Sequence, residues 1–313
     1  MPDLTLPLIG AGGEPIDFVA TINSHGVASL PPVKQNSELA TELDITLRIA
    51  DGSVRTVHLA QADQGEVAVD VRGDAPFDSG QVERAVRHIL RLDQDLSGFY
   101  DLAAQDSRLA WITSGYGRMM RCQTVFEEVI KTILTTNCNW SATIKMTERL
   151  VTELGEPDPL VEEEPPYGRS FPTPAAMAGR DEAFYREVIR AGYRAPHLVK
   201  LANAVAGGEL DLESLGSATF DELSDDDLEK QLLALPGVGP YAAAHIMHML
   251  GRCSRLVLDS WTRPTYARLI GAESIADAEI AEQFTAYGTS AGLAFWLMVT
   301  RPWFDTHAAG EAG

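Results

Sequence analysis

Hydrophobic and polar residues alternate with a period of two in the first part of the chain. The alternation runs over 44–49 and again over 54–59, with the turn signal Asp51-Gly52 between them, and it predicts a β-hairpin. A further strand is predicted over 66–71. The opening segment, up to about Ser37, has no regular period and is expected to be extended and irregular.

The period of the apolar positions becomes helical at Gln81. After Leu96, helical patterns follow one another with short Gly/Pro connections and end in an apolar helix over 291–299. The first of these helices is predicted to bury one face, made of Val82, Ala85, Val86, Ile89 and Leu90.

This change of period predicts an α+β protein with two domains. We expect an antiparallel β domain with its trailing helix over 1–93, a larger all-α domain over 94–305 and a flexible tail over 306–313. The chain shows neither a secretory signal nor an apolar run long enough to span a bilayer. We therefore expect a soluble, cytoplasmic protein without membrane contact.

A tight turn between two helical patterns carries the most specific motif, Leu235-Pro236-Gly237-Val238-Gly239-Pro240-Tyr241. Pro236 cannot continue a helix and the glycines accept positive φ, whereas Pro240 suits the first position of a new helix. The residues Gly237, Val238 and Gly239 therefore present backbone N–H groups at a helix N-terminus, where they attract a phosphate. A lone carboxylate, Asp259, follows the second helix.

Four ordered segments resemble the helix-hairpin-helix DNA glycosylase superfamily, in particular its 3-methyladenine (type II) and 8-oxoguanine enzymes. The segments are 126–150, Phe171-Pro172-Thr173-Pro174, 191–195 and the hairpin with Asp259. The resemblance covers roughly the last two-thirds of the chain. It implies a helical domain that binds damaged double-stranded DNA, preceded by a β domain of TBP-like fold.

The resemblance implies that Asp259 is the catalytic residue. Departure of a base leaves positive charge on the deoxyribose, and a fixed carboxylate stabilises that charge. Bifunctional relatives carry a lysine two residues after the last hairpin glycine, where this chain has Tyr241. We therefore expect a monofunctional N-glycosylase that hydrolyses the N-glycosidic bond without cutting the strand. The alternative role for Asp259 is the N-cap of the helix that follows it.

The base pocket is assigned to Tyr241, His245, Trp261 and Trp296. Tyr241 and His245 lie one helical turn apart and Trp261 follows Asp259, so they offer flat stacking partners to a flipped base. Trp296 and Phe295 are each as compatible with core packing as with the pocket. Phe295 lies near the position of a base-reading glutamine in 8-oxoguanine enzymes, and its presence weakens that assignment.

Residues 135–139 resemble the Asn-rich turn with which 8-oxoguanine glycosylases enter the duplex and read the partner base. Asn137 and Asn139 are therefore predicted to contact DNA, with a helix C-cap as the alternative. Arg194 is predicted to bind a phosphate, with a plain surface position as the alternative.

The formal net charge of −20 contrasts with the basic surface expected of a DNA-binding domain. Acidic residues concentrate in runs such as 162–164 and 225–227. We expect a local basic face near the site and weak, salt-sensitive binding. The residues assigned to this face are Arg108, Arg118, Arg121, Lys131, Lys145, Arg149, Arg190, Arg194 and Lys200.

Three cysteines, Cys122, Cys138 and Cys253, are too few for a four-cysteine iron–sulfur cluster and too widely spaced for a zinc finger. We expect no cofactor and no metal site, apart from the alkali ion that relatives often hold between hairpin carbonyls and a phosphate. Cys138 is predicted to be a buried structural thiol.

Together these patterns predict a monomeric, nucleoid-associated enzyme of base excision repair that releases an alkylated base such as 3-methyladenine. Two alternatives stay open, an 8-oxoguanine-type glycosylase and a non-catalytic protein that uses the hairpin only to hold DNA. A non-catalytic hairpin has no use for Asp259 or for an aromatic pocket, which favours the enzyme.

Overall fold

Five strands form one antiparallel sheet in the N-terminal part of the chain. The computed structural model of the protein describes residues 1–36, 41–62 and 65–310, the side chains of 305–310 excepted. The strand order across the sheet is first, fifth, fourth, third, second. In chain order, the elements here are β1 (Leu4–Pro7), α1 (Phe18–Ile22), β2 (Val33–Gln35), β3 (Glu42–Arg48), β4 (Val54–Ala62), β5 (Glu66–Val71) and α2 (Ser79–Ile89).

The predicted hairpin is confirmed as β3 and β4, and the predicted third strand as β5. Ile45 pairs with Val57 and Leu43 with Leu59, so that apolar side chains of both strands share one face. That face packs on α2, whose residues Val82, Val86 and Ile89 belong to the same buried cluster. The period-two alternation and the one apolar helical face were therefore sufficient to predict β3, β4, β5 and the packing of α2.

The expectation of an irregular opening segment is wrong at β1 and β2. Leu4 of β1 pairs with Val69, and Val33 of β2 pairs with Ile45. Both strands lie at edges of the sheet and are too short to show a period. They form because distant strands supply their hydrogen-bonding partners, which is information that local sequence does not contain.

The predicted helical region after Leu96 is confirmed. The last helix continues well past residue 299 and takes up 306–310 of the predicted tail, whereas 311–313 lie outside the described residues. The helices are α3 (Ser97–Ala104), α4 (Val125–Thr135), α5 (Trp140–Leu154), α6 (Pro174–Ala178), α7 (Glu182–Glu187), α8 (Ala195–Ala206), α9 (Glu213–Ser217), α10 (Asp225–Leu233), α11 (Pro240–Met249), α12 (Thr262–Leu269), α13 (Asp277–Phe284) and α14 (Ala291–Gly310).

The fold is thus α+β, as expected, while the TBP-like topology of the sheet, the boundary near residue 93 and the flexibility of the tail stay predictions. None of the helices in the described ranges has the length and apolarity that a bilayer crossing requires.

Helix α11 lies between two apolar clusters of the helical part. Ala243, Ile246 and Met247 belong to the cluster that includes residues of α4, α8 and α10. Ala244 and Met249 belong to the cluster formed mainly by α3 and α12–α14. Because both sides of α11 are packed, its N-terminus is held firmly where it emerges between the two clusters.

Buried arginines tie the sheet part to the helical part. Arg118 forms an ion pair with Glu14, and neither side chain is more than 3% exposed. The guanidinium of Arg91 donates hydrogen bonds to the carbonyl oxygens of Met119 and His248, the latter at 2.7 Å and on α11. These contacts hold the N-terminal part of the chain against α11.

Candidate functional site

One cavity of about 1460 Å³ brings together all of the predicted site residues except Asn139 and Arg194. We call it the cleft. Its walls are the N-terminal segment 23–30, the α4–α5 turn, the turn between α10 and α11, residues 258–263, and two tryptophans of α14. Elements far apart in sequence therefore meet at the N-terminus of α11.

The hairpin turn leaves the N-terminus of α11 open. Gly237 has φ of +82°, a left-handed conformation that favours glycine, and its Cα faces the side chain of His197. Gly239 is the N-cap residue and supplies no side-chain hydrogen bond, and Pro240 follows as the first helical residue. A Cβ at Gly239 would meet no atom within 4 Å among the described residues. Space is therefore open beside Gly239, whereas the Val238 N–H donates to the Leu235 carbonyl at 3.2 Å. Phosphate binding at this turn stays a prediction.

Asp259 is fixed by backbone contacts at the start of α12. Its Oδ1 accepts hydrogen bonds from the N–H groups of Trp261 (2.8 Å) and Thr262 (2.6 Å). The Thr262 hydroxyl accepts in turn from the Asp259 N–H at 2.8 Å. Its Oδ2 makes no hydrogen bond to the described part of the chain. Asp259 thus stabilises the turn that leads into α12, while the N-cap residue of that helix is Trp261. One carboxylate oxygen of Asp259 is left available in the cleft.

Aromatic side chains flank this carboxylate. The rings of Tyr241 and His245 are stacked with centroids 6.1 Å apart and planes 20° apart. Trp261 lies 6.3 Å from Trp296, whose indole N–H donates to the Ser24 carbonyl at 3.0 Å. The four predicted pocket residues therefore share the cleft with Asp259.

Two neighbouring residues of α14 face different surroundings, one the cleft and the other the core. Trp296 lines the cleft, whereas Phe295 is fully buried and packs against Tyr266 and Phe284. Trp303, which the sequence analysis did not single out, also lines the cleft and lies 5.0 Å from Trp261. Adjacent positions on a helix point about 100° apart, and only the packing of α14 decides which of them faces the cleft.

The N-terminal segment supplies a cleft residue that the sequence analysis missed. His25 is 8% exposed, and its ring lies 5.8 Å from that of His245 in an edge-on arrangement. Its Nδ1 is 3.1 Å from the Ser24 hydroxyl. His25 belongs to the segment that was expected to be irregular, and no spacing or motif links it to α11.

Burial keeps the histidines of this region neutral. It lowers the pKa of His25 well below the usual value, and it lowers the pKa of both His245 and His248 to about 4. The charge of Asp259 opposes the effect at His245 without overcoming it. On α4, burial raises the pKa of Glu128 to about 7. At neutral pH His25 and His245 of the cleft are therefore imidazoles rather than imidazolium ions.

Stability is expected to fall as the pH is lowered from 6.5 towards 4.5. Burial lowers the pKa of His88 on α2 to about 4 as well. These four histidines bind protons near pH 6.5 in the unfolded chain but resist them when folded, so unfolding takes up protons in this range. Glu128 acts in the opposite direction, because it is protonated at a higher pH in the folded protein. Four histidines less one carboxyl give an uptake of about three protons.

This uptake is measurable as the slope of the unfolding free energy against pH in urea titrations. Glu128→Gln removes the opposing group and should steepen the slope by about one proton. A stability that rises on acidification from pH 6.5 to 4.5 would contradict the neutral state of the four histidines.

In the α4–α5 turn, Asn137 faces the cleft, whereas the side chain of Asn139 bonds to the backbone of α5. Asn137 has φ of +48°, the left-handed position that often follows a helix, and its amide donates to the Tyr193 hydroxyl at 3.0 Å. Asn139 caps α5 by accepting from the Ala142 N–H at 2.9 Å. Asn137 thus keeps an exposed place in the cleft, whereas Asn139 lies outside it. Cys138 is exposed, which corrects its assignment as a buried thiol.

The structure corrects the assignment of Arg194 to a phosphate contact. Arg194 is 6% exposed. Its guanidinium donates to the carbonyl oxygens of Ile133 (3.2 Å), Ala191 (3.3 Å) and Thr136. The contacts to Ile133 and Thr136 satisfy carbonyl groups at the C-terminal end of α4, so Arg194 fixes the turn that carries Asn137 rather than facing DNA itself.

The predicted basic face is also largely wrong. Arg108 is paired with Asp106 at 2.6 Å, and Lys131 with Glu127 at 2.7 Å in the interior. Arg121 donates to the His88 carbonyl, and Arg118 is the buried partner of Glu14. The exposed residues among the nine are Arg108, which is paired, and Lys145, Arg190 and Lys200. A phosphate at this site would therefore depend mainly on backbone N–H groups.

Comparison with known proteins finds sequence similarity over about seven-tenths of the chain and similarity of fold over nearly all of it. No protein-family model matches the sequence. A DNA-3-methyladenine glycosylase of Bacillus subtilis (strain 168) is 25% identical over 236 residues, which are 71% of this chain and 73% of that protein.

Solved structures share the fold. The 3-methyladenine DNA glycosylase of Archaeoglobus fulgidus superposes with a TM-score of 0.72 and 19% identity, over 96% of this chain and 99% of that one. A second similar structure is the 8-oxoguanine glycosylase/lyase of Clostridium acetobutylicum in complex with double-stranded DNA that contains cytosine opposite 8-oxoguanine. It superposes with a TM-score of 0.62 and 19% identity, over 89% of this chain and 92% of that one.

Proposed function

We propose that this chain, a member of the helix-hairpin-helix DNA glycosylase superfamily by sequence and fold, is a monofunctional DNA N-glycosylase that releases an alkylated base. The observation that carries the proposal is the position of Asp259. One oxygen of its carboxylate is held by two backbone N–H groups, while the other is available in a cleft lined with aromatic rings.

The hairpin would bind the DNA backbone beside the lesion. The N–H groups at the start of α11 supply donors and the positive end of the helix dipole, and Gly239 leaves room for a phosphate oxygen. Contacts to phosphate do not depend on the base sequence, so they suit an enzyme that must find lesions in any sequence context. It also explains how a chain with net charge −20 holds a polyanion.

The aromatic residues would hold the extruded base. A flipped base gains stacking in place of the duplex neighbours it has lost. Tyr241 with His245 on one helix, and Trp261 with Trp296 and Trp303 beside Asp259, provide flat rings within the same cleft. Since the imidazoles are neutral, they do not repel the positive charge that many alkylated purines carry.

Asp259 would stabilise the transition state. As the bond between C1′ and the base nitrogen breaks, its electron pair leaves with the base and positive charge develops on the sugar ring. A preorganised carboxylate stabilises that charge and orients the water that adds to C1′. The two N–H contacts to Oδ1 keep the side chain from turning away during this step.

Strand cleavage is not expected, because the cleft offers no amine suited to attack the sugar. Tyr241 stands where bifunctional relatives carry lysine, and its hydroxyl lies 3.4 Å from that of Thr135. Lys131 lines the cleft but is paired with Glu127. Burial alone would lower the pKa of Lys131, yet the acidic groups around it leave that pKa raised, so its amine stays protonated and is a poor nucleophile.

Alkylated bases are the preferred substrate class. The B. subtilis and A. fulgidus relatives are 3-methyladenine glycosylases, and Phe295 is withdrawn into the core instead of reading a base. An 8-oxoguanine-type activity is the second candidate, since the exposed Asn137 turn suits contact with the partner base. The proposed partner is damaged double-stranded DNA, bound by a monomer without a cofactor. An alkali ion at the hairpin carbonyls stays a prediction.

The test is base release from duplexes that each carry one alkylated, oxidised, deaminated or mismatched base. Strand breaks are scored before and after alkali, and borohydride is added to trap any Schiff base. We expect release of an alkylated base, breaks only after alkali and no trapped adduct. A trapped adduct would overturn the monofunctional mechanism. Intact DNA binding with no release from any duplex would favour the non-catalytic alternative.

A further inference from the structure

Trp140 is a large apolar side chain that remains 42% exposed. It is the first residue of α5, directly after the turn that carries Asn137, and it lines the same cleft as Asp259. Nothing in the proposed base pocket requires it. Exposed tryptophans on a surface that also binds a ligand are frequent contact residues.

The sheet part of the protein holds the indole of Trp140 in place. A Cβ on Gly26 would lie 2.3 Å from the indole Cζ2, so the ring packs directly on the backbone there and needs glycine at this position. The indole N–H donates to the Ser29 hydroxyl at 3.2 Å, and that hydroxyl donates to the Gly26 carbonyl at 2.8 Å. The ring is therefore oriented before any ligand arrives, with one part supported and another part open to the cleft.

We propose that Trp140 stacks on the DNA base left without a partner when the damaged nucleotide is extruded. The inference rests on the proposed function, because it requires an extruded nucleotide. Extrusion leaves the partner base with a free face and costs the duplex its stacking energy. Trp140 begins the helix that follows Asn137, the side chain predicted to contact DNA, and both line the cleft. With Asn137 in the duplex gap, the ring would therefore lie beside the strand that keeps the orphaned base.

A preoriented ring makes this contact effective. Stacking of a base on an aromatic side chain tolerates any base, since every base offers a π face. The contact would favour the extruded state irrespective of which base lies opposite the lesion. A ring held by Gly26 and Ser29 loses little freedom on binding, so most of the stacking energy contributes to affinity.

The experiment measures binding to a duplex that carries a tetrahydrofuran abasic-site analogue, with 2-aminopurine opposite it. We expect Trp140→Ala to weaken this binding by about 10- to 100-fold and to leave binding to the intact duplex within about 3-fold. Trp140→Phe, which keeps a ring, should lose less. Gly26→Ala, which displaces the ring without removing it, should resemble Trp140→Ala.

The fluorescence of 2-aminopurine separates stacking from a structural role. Stacking on Trp140 quenches this fluorescence. At saturating protein, the 2-aminopurine fluorescence of the wild-type complex should therefore be lower than that of the Trp140→Ala complex. Equal fluorescence in the two complexes, or an equal affinity loss on intact DNA, would overturn the inference. Base release is scored in parallel, so that a protein that releases no base but shows the quenching contradicts the proposed catalysis and supports the stacking contact.

Discussion

Asp259→Asn is expected to lower the rate of base release by at least about 1000-fold without unfolding the protein or weakening its binding to DNA. Asparagine keeps an oxygen that accepts from the N–H groups of Trp261 and Thr262, so the turn that leads into α12 keeps both hydrogen bonds. What the variant loses is the negative charge beside the developing oxocarbenium ion. Single-turnover rates on the best duplex of the lesion panel measure the loss.

Asp277→Asn is the matched control for this substitution. It removes a carboxylate of the same type that is paired with Arg263, itself a cleft residue, at 2.7 Å on the surface. We expect its single-turnover rate to stay within about 3-fold of wild type, because an exposed ion pair contributes little. If Asp259→Asn retained more than a tenth of the wild-type rate, Asp259 would be reduced to a structural role in the turn before α12.

Gly239→Asp is expected to weaken binding to every duplex by at least about 100-fold while leaving the thermal stability unchanged or slightly raised. Gly239 is the N-cap residue of α11 with φ of −105°, which any residue can adopt, and its Cβ would enter open space. An aspartate there caps the helix with its own carboxylate. It then occupies the donors meant for the phosphate and repels its charge.

Gly239→Asn separates these two effects. It has the same shape and capping ability without the charge, so we expect a loss of about 10-fold in affinity, measured by fluorescence anisotropy at constant salt. Gly237→Ala is the structural counterpart, since φ of +82° and the nearby His197 side chain should make it destabilising. Unchanged affinity in Gly239→Asp, on intact and damaged duplexes alike, would exclude the hairpin from phosphate binding.

Local signals in the sequence were sufficient for the elements that depend on neighbouring residues. The β3–β4 hairpin, α2 and the turn at Gly237 to Gly239 each follow from period, turn residues or the absence of a Cβ. The resemblance of ordered motifs then brought Asp259, Tyr241 and His245 to one place, and the cleft does contain all three. The short edge strands β1 and β2 escaped this reasoning because their pairing partners are remote.

The sequence by itself therefore determined the fold class, the hairpin and the acid that follows it. Only the tertiary structure decided which way individual side chains face, because burial depends on every element that packs around a position. It withdrew Arg194 to the carbonyl groups at the end of α4 and Phe295 into the core. It also brought His25 and Trp140 to the cleft across more than one hundred positions of sequence. No local pattern encodes such contacts, since they arise when the sheet part packs against the helices.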